Sequence, residues 1–218
     1  MLYRILSLAI GYAFGLFQTS YLIGKRHGVD IRTQGSGNAG TTNALRTMGK
    51  KTALIVMLCD VAKCVLATLV VHWIFGGTHP EIDYLLRTWA GLGAVLGHNY
   101  PFYMGFKGGK GVACIGGFII SISPKLMFPI GLVLFFGIIA LTHYVSLSSL
   151  CIGVFLMTGT VILGQTGSFG MPQAALAEMY VLVAVIVGQM YYRHRENIGR
   201  LLHGTERKTY IFGKEKKA

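Results

Sequence analysis

Three polar stretches hold the side chains best suited to chemistry. The first, RTQGSGNAGTTNALR (Arg32 to Arg46), offers hydroxyls from Ser36, Thr41 and Thr42, amides from Asn38 and Asn43, and an arginine at each end, with no acid between them. Gly35, Gly37 and Gly40 permit positive φ and close backbone approach, and successive N–H groups can form an anion-binding nest. Arg32 and Arg46 add guanidinium charge suited to bidentate phosphate recognition. The second stretch, FKGGKGVA (Phe106 to Ala113), sets Lys107 and Lys110 among Gly108, Gly109 and Gly111 at the start of an apolar run. A helix beginning there adds partial positive charge at its amino end, so the loop is a cradle for phosphate. The third, HRENIGRLLHGTE (His194 to Glu206), places His194, Asn197 and Leu201 at helical spacings of three and four, with Arg193, Asn197 and Arg200 also close together.

Each stretch has a blander alternative. The first could be a plain polar loop, the two lysines could be interfacial anchors, and a basic patch beside a membrane helix would explain Arg193, Arg195 and Arg200. Two familiar motifs are rejected. Gly35-Ser36-Gly37-Asn38-Ala39-Gly40 fits GxGxxG, but that fingerprint needs a preceding strand and a parallel sheet, whereas apolar helices flank it here. Lys107 to Gly111 fails the Walker pattern, because Met104 stands at the first glycine position and Gly111 replaces the magnesium-binding Ser or Thr. No His has an Asp five residues on, and neither GxSxG nor HExxH occurs. A site of cations, amides and glycines with hardly any carboxylate suits a strongly anionic substrate.

The elements that must position these loops are apolar. The chain of 218 residues is 53% hydrophobic and 13% charged, with mean hydropathy +0.56, which excludes an ordinary soluble domain and implies an integral membrane protein. Twenty uncharged residues separate Arg4 from Lys25, and 52 residues without Asp, Glu, Lys or Arg separate Lys125 from Glu178, against the roughly 20 needed to cross a bilayer. Apolar runs bounded by charge, Gly and Pro predict seven helices, at about 3–24, 52–75, 84–97, 111–122, 125–141, 145–164 and 172–193. The fourth, twelve residues long, is only roughly 18 Å and is short for a full crossing. The first lacks a small-residue cleavage site and is expected to be retained.

Positive charge sets the orientation. Loop 25–51 holds six Lys/Arg, loop 98–110 two, and the tail from Arg193 eight, so 16 of 20 fall on one side. That bias predicts an amino terminus outside, a carboxyl terminus inside, and all three polar stretches on the cytoplasmic face. One membrane domain, 1–218, is expected, with a basic tail from about 207 that includes Lys214 to Lys217. Cys59, Cys64, Cys114 and Cys151 lie in apolar runs without CxxC spacing, so packing is expected and no metal site. Asp60 and Lys63, at i and i+3 in an apolar run, are expected to pair with each other or with another helix. Glu178 carries no assigned role.

Together the stretches GVDIRTQGSGNAGTTNALR, GHNYPFYMGFKGGKGVA and HRENIGRLLHGTE resemble, in order and spacing, the three signature motifs of the bacterial acyl-phosphate:glycerol-3-phosphate acyltransferases, and LCDVAKC resembles the family's second-helix pattern. The resemblance implies a seven-helix inner-membrane enzyme with a cytoplasmic active site. It would transfer a fatty acyl group from acyl phosphate to the 1-hydroxyl of glycerol 3-phosphate, giving lysophosphatidic acid and phosphate, the first acylation of phospholipid synthesis. By position it implies catalytic roles for His194, Asn197, Lys107 and Ser36. Substrate or phosphate binding would fall to Arg32, Gly35, Gly37, Asn38, Gly40, Thr41, Asn43, Arg46, Gly108, Gly109, Lys110, Gly111 and Arg195. No cofactor or nucleic acid is implied, and the chain is expected to act as a monomer among membrane lipids.

Acyl phosphate is already activated, so no acyl-enzyme is needed. The protein must bind two phosphates, orient the alcohol and stabilise charge on the carbonyl oxygen and the departing phosphate. His194 is the only plausible side-chain base in the matched motifs, and the substrate's own phosphate is the other proton acceptor; the favoured reading has His194 and Asn197 orienting glycerol 3-phosphate. One departure stands out: Leu16-Phe17-Gln18 replaces the family's Ser-x-Pro, so the first helix need not kink there. Lys63-Cys64 also replaces a Lys-Gly. The competing readings are an organic-phosphate transporter or channel, which calls for polar groups at the midplane, and a lipid-phosphate phosphatase, which calls for a nucleophile-activating dyad.

Overall fold

The computed structural model describes residues 1–210. The basic segment Lys214 to Lys217 lies outside the described residues. Every regular element among the described residues is helical: α1 (Leu2–Gly15), α2 (Thr19–Arg26), α3 (Thr41–Val71), α4 (Asp83–Asn99), α5 (Val112–Ile122), α6 (Met127–Thr142), α7 (Val145–Gln165), α8 (Gln173–Arg193) and α9 (Arg195–Leu202). Among the described residues, four segments are long and apolar enough to cross a membrane: Leu2–Arg26, Thr41–Gly76, Val145–Gln165 and Gln173–Arg193. The apolar helix α5, with 11 residues, is only roughly 16 Å long. Leu58, Val133, Leu141, Ile162 and Val181 point outward and are each at least half exposed, the surface a helix bundle presents to lipid.

The tightest packing joins α1 to α4. Gly11 and Gly15 on α1 lie against the backbone of Ala90, Ala94 and Gly97 on α4, and a Cβ at either glycine would overlap a carbonyl. Small residues four apart let two backbones meet where lipid supplies no hydrophobic drive between helices. Phe118, Ile115, Leu85, Leu156, Met179 and Ile186 fill the core between α4, α5, α7 and α8.

The first segment departs from the expected straight helix. It stops at Gly15 and restarts at Thr19, although no proline is present. Gln18 supplies the reason: its side chain is fully buried, and Nε2 donates to the carbonyls of Gly15 at 3.3 Å, Gly97 at 3.3 Å and His98 at 3.0 Å. A side-chain amide that meets three carbonyls holds an interruption which the family's proline would impose sterically. The second helix also begins earlier than expected, at Thr41, with non-helical backbone at Gly49 where φ is 83°. The last span does not run on through His194, which breaks it with φ −99° and ψ 5° before α9 restarts.

At one end of the bundle Arg4 pairs with Glu178 at 2.7 Å, and Trp89 Nε1 donates to the same carboxylate at 2.8 Å. Two cavities of about 370 and 420 Å³ open at that end, lined respectively by Arg4, Trp89 and Glu178 and by residues around Lys125 and Phe169. The three polar stretches gather at the opposite end.

Candidate active site

The centre of that polar end is Glu206. Its Oε1 accepts from Asn197 Nδ2 at 2.6 Å and from Ser146 Oγ at 2.8 Å, and its Oε2 accepts from Arg200 Nε at 2.7 Å. With Nδ2 held by the carboxylate, Asn197 turns Oδ1 toward Lys110, whose Nζ donates to it. Arg46 reaches the same region from α3, where its Nη2 donates to Thr209 Oγ1 at 2.9 Å, and Glu206 and Arg200 lie within its electrostatic reach. The N–H of Thr209 is bonded to His143 O at 2.8 Å, so the end of the described chain is tied to the α6–α7 junction. Lys110, Asn197 and Arg46, each from a different stretch, thus meet around one carboxylate.

Burial shapes the protonation of this cluster. Desolvation, together with the nearby Arg200 and Arg193, lowers the Lys110 ammonium to about 8 although Glu206 opposes the shift. His194 is 3% exposed, and burial followed by the Lys110 charge pushes it down to about 4, so it is neutral. Its Nδ1 lies 2.8 Å from Met190 O and must carry the proton in that bond, which leaves Nε2 as an acceptor. Burial alone would raise the Glu206 carboxyl, but hydrogen bonds from Asn197, Arg200 and Ser146 hold it below its ordinary value. The site is therefore not nearly free of carboxylate, as its motifs imply. One ionised acid sits at its centre, because packed cations and an amide need a common acceptor to fix their directions.

The glycine loop is tied down from both sides. Gly108 N–H donates to Asn99 O at 3.1 Å and Gly109 N–H to His98 O at 3.0 Å, while Arg193 Nη2 and Nε donate to the carbonyls of Gly108 at 3.1 Å and Gly109 at 3.0 Å. These two amides are thus engaged within the protein. Gly111, at φ 79°, caps α5 in a conformation that favours glycine. Lys107 is exposed, and its ammonium makes no hydrogen bond or ion pair among the described residues.

In the first stretch, Asn43 is 2% exposed and organises the loop: its Oδ1 accepts from Ser36 N–H at 2.9 Å, and Nδ2 donates to Ile31 O at 3.1 Å and Gln34 O at 3.0 Å. Gly35 and Gly37 turn the chain at φ 60° and 69°, and Gly40 caps α3. Ser36 Oγ is exposed, the Asn38 amide is half-buried, and neither has a hydrogen-bond partner among the described residues; Thr41 Oγ1 is buried and unpartnered. Arg32 faces Asp30, with Nη2 at 2.7 Å from Oδ2, and stacks on Tyr21 at 5.1 Å. Arg195 is turned outward, with its guanidinium 4.7 Å from the Tyr192 ring.

Arg193 and Arg200, which spacing groups with Asn197, do reach this cluster, whereas Glu206, Ser146 and Thr209 join it without being among the residues singled out in the sequence. Glu206 had a signal, being an acid nine positions after Asn197 within the quoted third stretch. Ser146 had none, since it begins an apolar helix far away in sequence.

Comparison with known proteins fits this geometry. Residues 5–204 match the glycerol-3-phosphate acyltransferase family model. A glycerol-3-phosphate acyltransferase of Clostridioides difficile strain 630 is 40% identical over 210 residues, covering 94% of each chain. The crystal structure of PlsY (YgiH), an integral membrane glycerol 3-phosphate acyltransferase, in its glycerol 3-phosphate form is 35% identical, superposes with a TM-score of 0.80 and covers 96% of each chain. Its lysophosphatidic acid form, also 35% identical, gives 0.77 over 96% of this chain and 95% of that one. With three motifs converging on one cationic cluster and a family match over nearly its whole length, the chain is an enzyme of the glycerol-3-phosphate acyltransferase family.

Proposed function

We propose that the enzyme transfers a fatty acyl group from acyl phosphate to the 1-hydroxyl of glycerol 3-phosphate, and that Lys110, Arg46, Asn197, His194 and Ser36 bound the reacting centre. The observation that carries this reading is the cluster in which Asn197 bonds both Glu206 and Lys110 while Arg46 stands within electrostatic range of the same carboxylate, beside a neutral imidazole. The hydroxyl oxygen attacks the acyl carbon, the acyl C–O bond to phosphate breaks, and lysophosphatidic acid and inorganic phosphate leave. Lys110 and Arg46 balance the phosphate charges, and exposed Ser36 and Lys107 offer further donors to them. Asn38, Thr41 and the turns at Gly35, Gly37 and Gly40 shape that wall, and Arg32 and Arg195 act from its rim.

His194 orients the alcohol through Nε2, and the hydroxyl proton passes to a phosphate oxygen. An imidazole held near 4 is a weak base at neutral pH. The activated donor removes any need for an acyl-enzyme.

The same proposal has the chain as a single monomeric domain of bacterial inner membrane, crossing seven times, with its amino terminus outside and its active site and carboxyl terminus in the cytoplasm. The clustering of 16 of 20 Lys/Arg in three segments supports that orientation. Purified protein in detergent, given palmitoyl phosphate with and without glycerol 3-phosphate, tests the reaction. Phosphate release that depends strictly on glycerol 3-phosphate supports it. Release without the alcohol marks a phosphatase, and no release favours transport.

A further inference from the structure

Asp60, Lys63 and His98 form an ionic cluster between α3 and α4 that the proposed mechanism does not use. They are 2%, 4% and 3% exposed. Lys63 Nζ donates to Phe17 O at 2.8 Å and to His98 Nδ1 at 2.9 Å, and it lies 2.8 Å from Asp60 Oδ1 as the charge partner that balances it. A buried ion pair is a poor source of stability, since apolar replacement of both partners is often neutral or better. What Lys63 touches suggests another purpose. Phe17 belongs to the helix break held by Gln18, and His98 abuts the glycine loop.

The link to the loop is close. With Nδ1 accepting from Lys63, the His98 ring carries its proton on Nε2, which faces Gly109 so closely that a Cβ there would overlap the ring nitrogen. The same two residues share a backbone hydrogen bond, Gly109 N–H to His98 O at 3.0 Å. Lys110 follows immediately and reaches Asn197. The Lys63 ammonium therefore sets the plane of a ring that forms the floor beneath the residue before Lys110.

We propose that Lys63 is a positioning residue for acyl transfer: it fixes His98 and the α1–α2 break together, and through His98 it places the Gly108–Lys110 backbone. The inference rests on the reading that Lys110 meets substrate phosphate. A misplacement of about 1 Å at such a group costs up to roughly 100-fold in rate.

The test replaces the pair without leaving a lone charge, as Asp60→Leu with Lys63→Met. In detergent this variant is expected to keep its melting temperature while kcat/KM for glycerol 3-phosphate falls about 10- to 100-fold, mainly through KM. Combined with Lys110→Arg, the loss should be clearly smaller than the product of the separate effects, because both act on one contact. A folded pair variant whose KM and kcat stay within threefold of the parent overturns the proposal, as does full additivity with Lys110→Arg.

If the pair variant does not fold, His98→Asn decides. It keeps an acceptor for Lys63 but withdraws the atoms facing Gly109, so a KM-dominated loss at unchanged melting temperature supports the proposal and unchanged KM overturns it. Lys110→Met separates the two ideas. Retained activity there removes the reading of the site itself, whereas inactivity there alongside wild-type kinetics in the cluster variants removes only the role of Lys63.

Discussion

Glu206→Gln probes the site at its centre. The carboxylate accepts from Asn197, Ser146 and Arg200 at 2.6, 2.8 and 2.7 Å. A glutamine has one accepting oxygen and an NH2, and three donors face it, so its NH2 must confront at least one of them. If the oxygen stays with Asn197 and Ser146, the NH2 meets Arg200; if it turns to Arg200, Asn197 loses its anchor and with it the direction of Oδ1 toward Lys110. One lost charge-assisted hydrogen bond is worth about 1.5–3 kcal/mol, or roughly 10- to 100-fold in kcat/KM.

A second signature follows from charge. Glu206 is the first group holding the Lys110 ammonium up against desolvation, so without it Lys110 titrates below its value of about 8. Coupled phosphate release at varied glycerol 3-phosphate and pH reads both effects. The variant should show raised KM and an alkaline limb that begins at lower pH than in the parent. A Gln variant with KM within twofold and an unmoved alkaline limb would refute the reasoning.

Other outcomes follow from the same geometry. In the parent, kcat/KM should fall as pH rises through about 8, where Lys110 loses its proton, and Lys110→Arg should push that limb beyond the measurable range if the Arg variant remains active. For His194, the folded value of about 4 lies below the ordinary 6.5, so the folded protein binds fewer protons than the unfolded chain between them. Stability therefore rises with pH across that window and is lost as pH falls through it, by up to about 3 kcal/mol; thermal melts from pH 4 to 7 should show this slope, and His194→Asn should flatten it. The same His194→Asn enzyme should lose glycerol 3-phosphate affinity more than turnover, as an orienting role requires; lost turnover at unchanged affinity would make His194 the base. Gln18→Leu removes the amide that meets three carbonyls and should cost about 1–3 kcal/mol, read as a drop in melting temperature.

The sequence made the general architecture legible because apolar length and charge position are set by the bilayer as solvent. The runs at 145–164 and 172–193 match α7 and α8 within a residue or two. Local interruptions were harder to see. The break at 16–18 depends on Gln18 reaching carbonyls some eighty residues away, and the break at His194 places the ring beside Met190 O instead of extending the helix. The Gln18 partners lie outside any local window, whereas the His194 ring meets a carbonyl only four residues back, a contact that residue type alone does not announce.

The same limit applies to the site. Residue type and spacing single out Lys110, Asn197, His194 and Arg46 as candidates, and the fold brings residues from all three stretches to one end of the bundle. Ser146 becomes visible only when the start of α7 meets the segment after α9, where it donates to Glu206. Arg193 and Arg195 separate two kinds of signal: spacing groups Arg193 with Asn197 and Arg200, and it clamps the glycine loop, whereas Arg195, singled out by the resemblance, lies on an exposed tyrosine.

Acyl transfer at the Lys110–Asn197–Glu206 cluster, as proposed above, makes Lys110 indispensable. Lys110→Met tests it most directly, with melting temperature and initial rates of lysophosphatidic acid formation from acyl phosphate and glycerol 3-phosphate measured on the same purified sample. The melting temperature should stay close to that of the parent while kcat/KM falls at least about 100-fold, the scale of losing one preorganised charge at a reacting phosphate. A folded Lys110→Met enzyme with kcat/KM within threefold of the parent would contradict it.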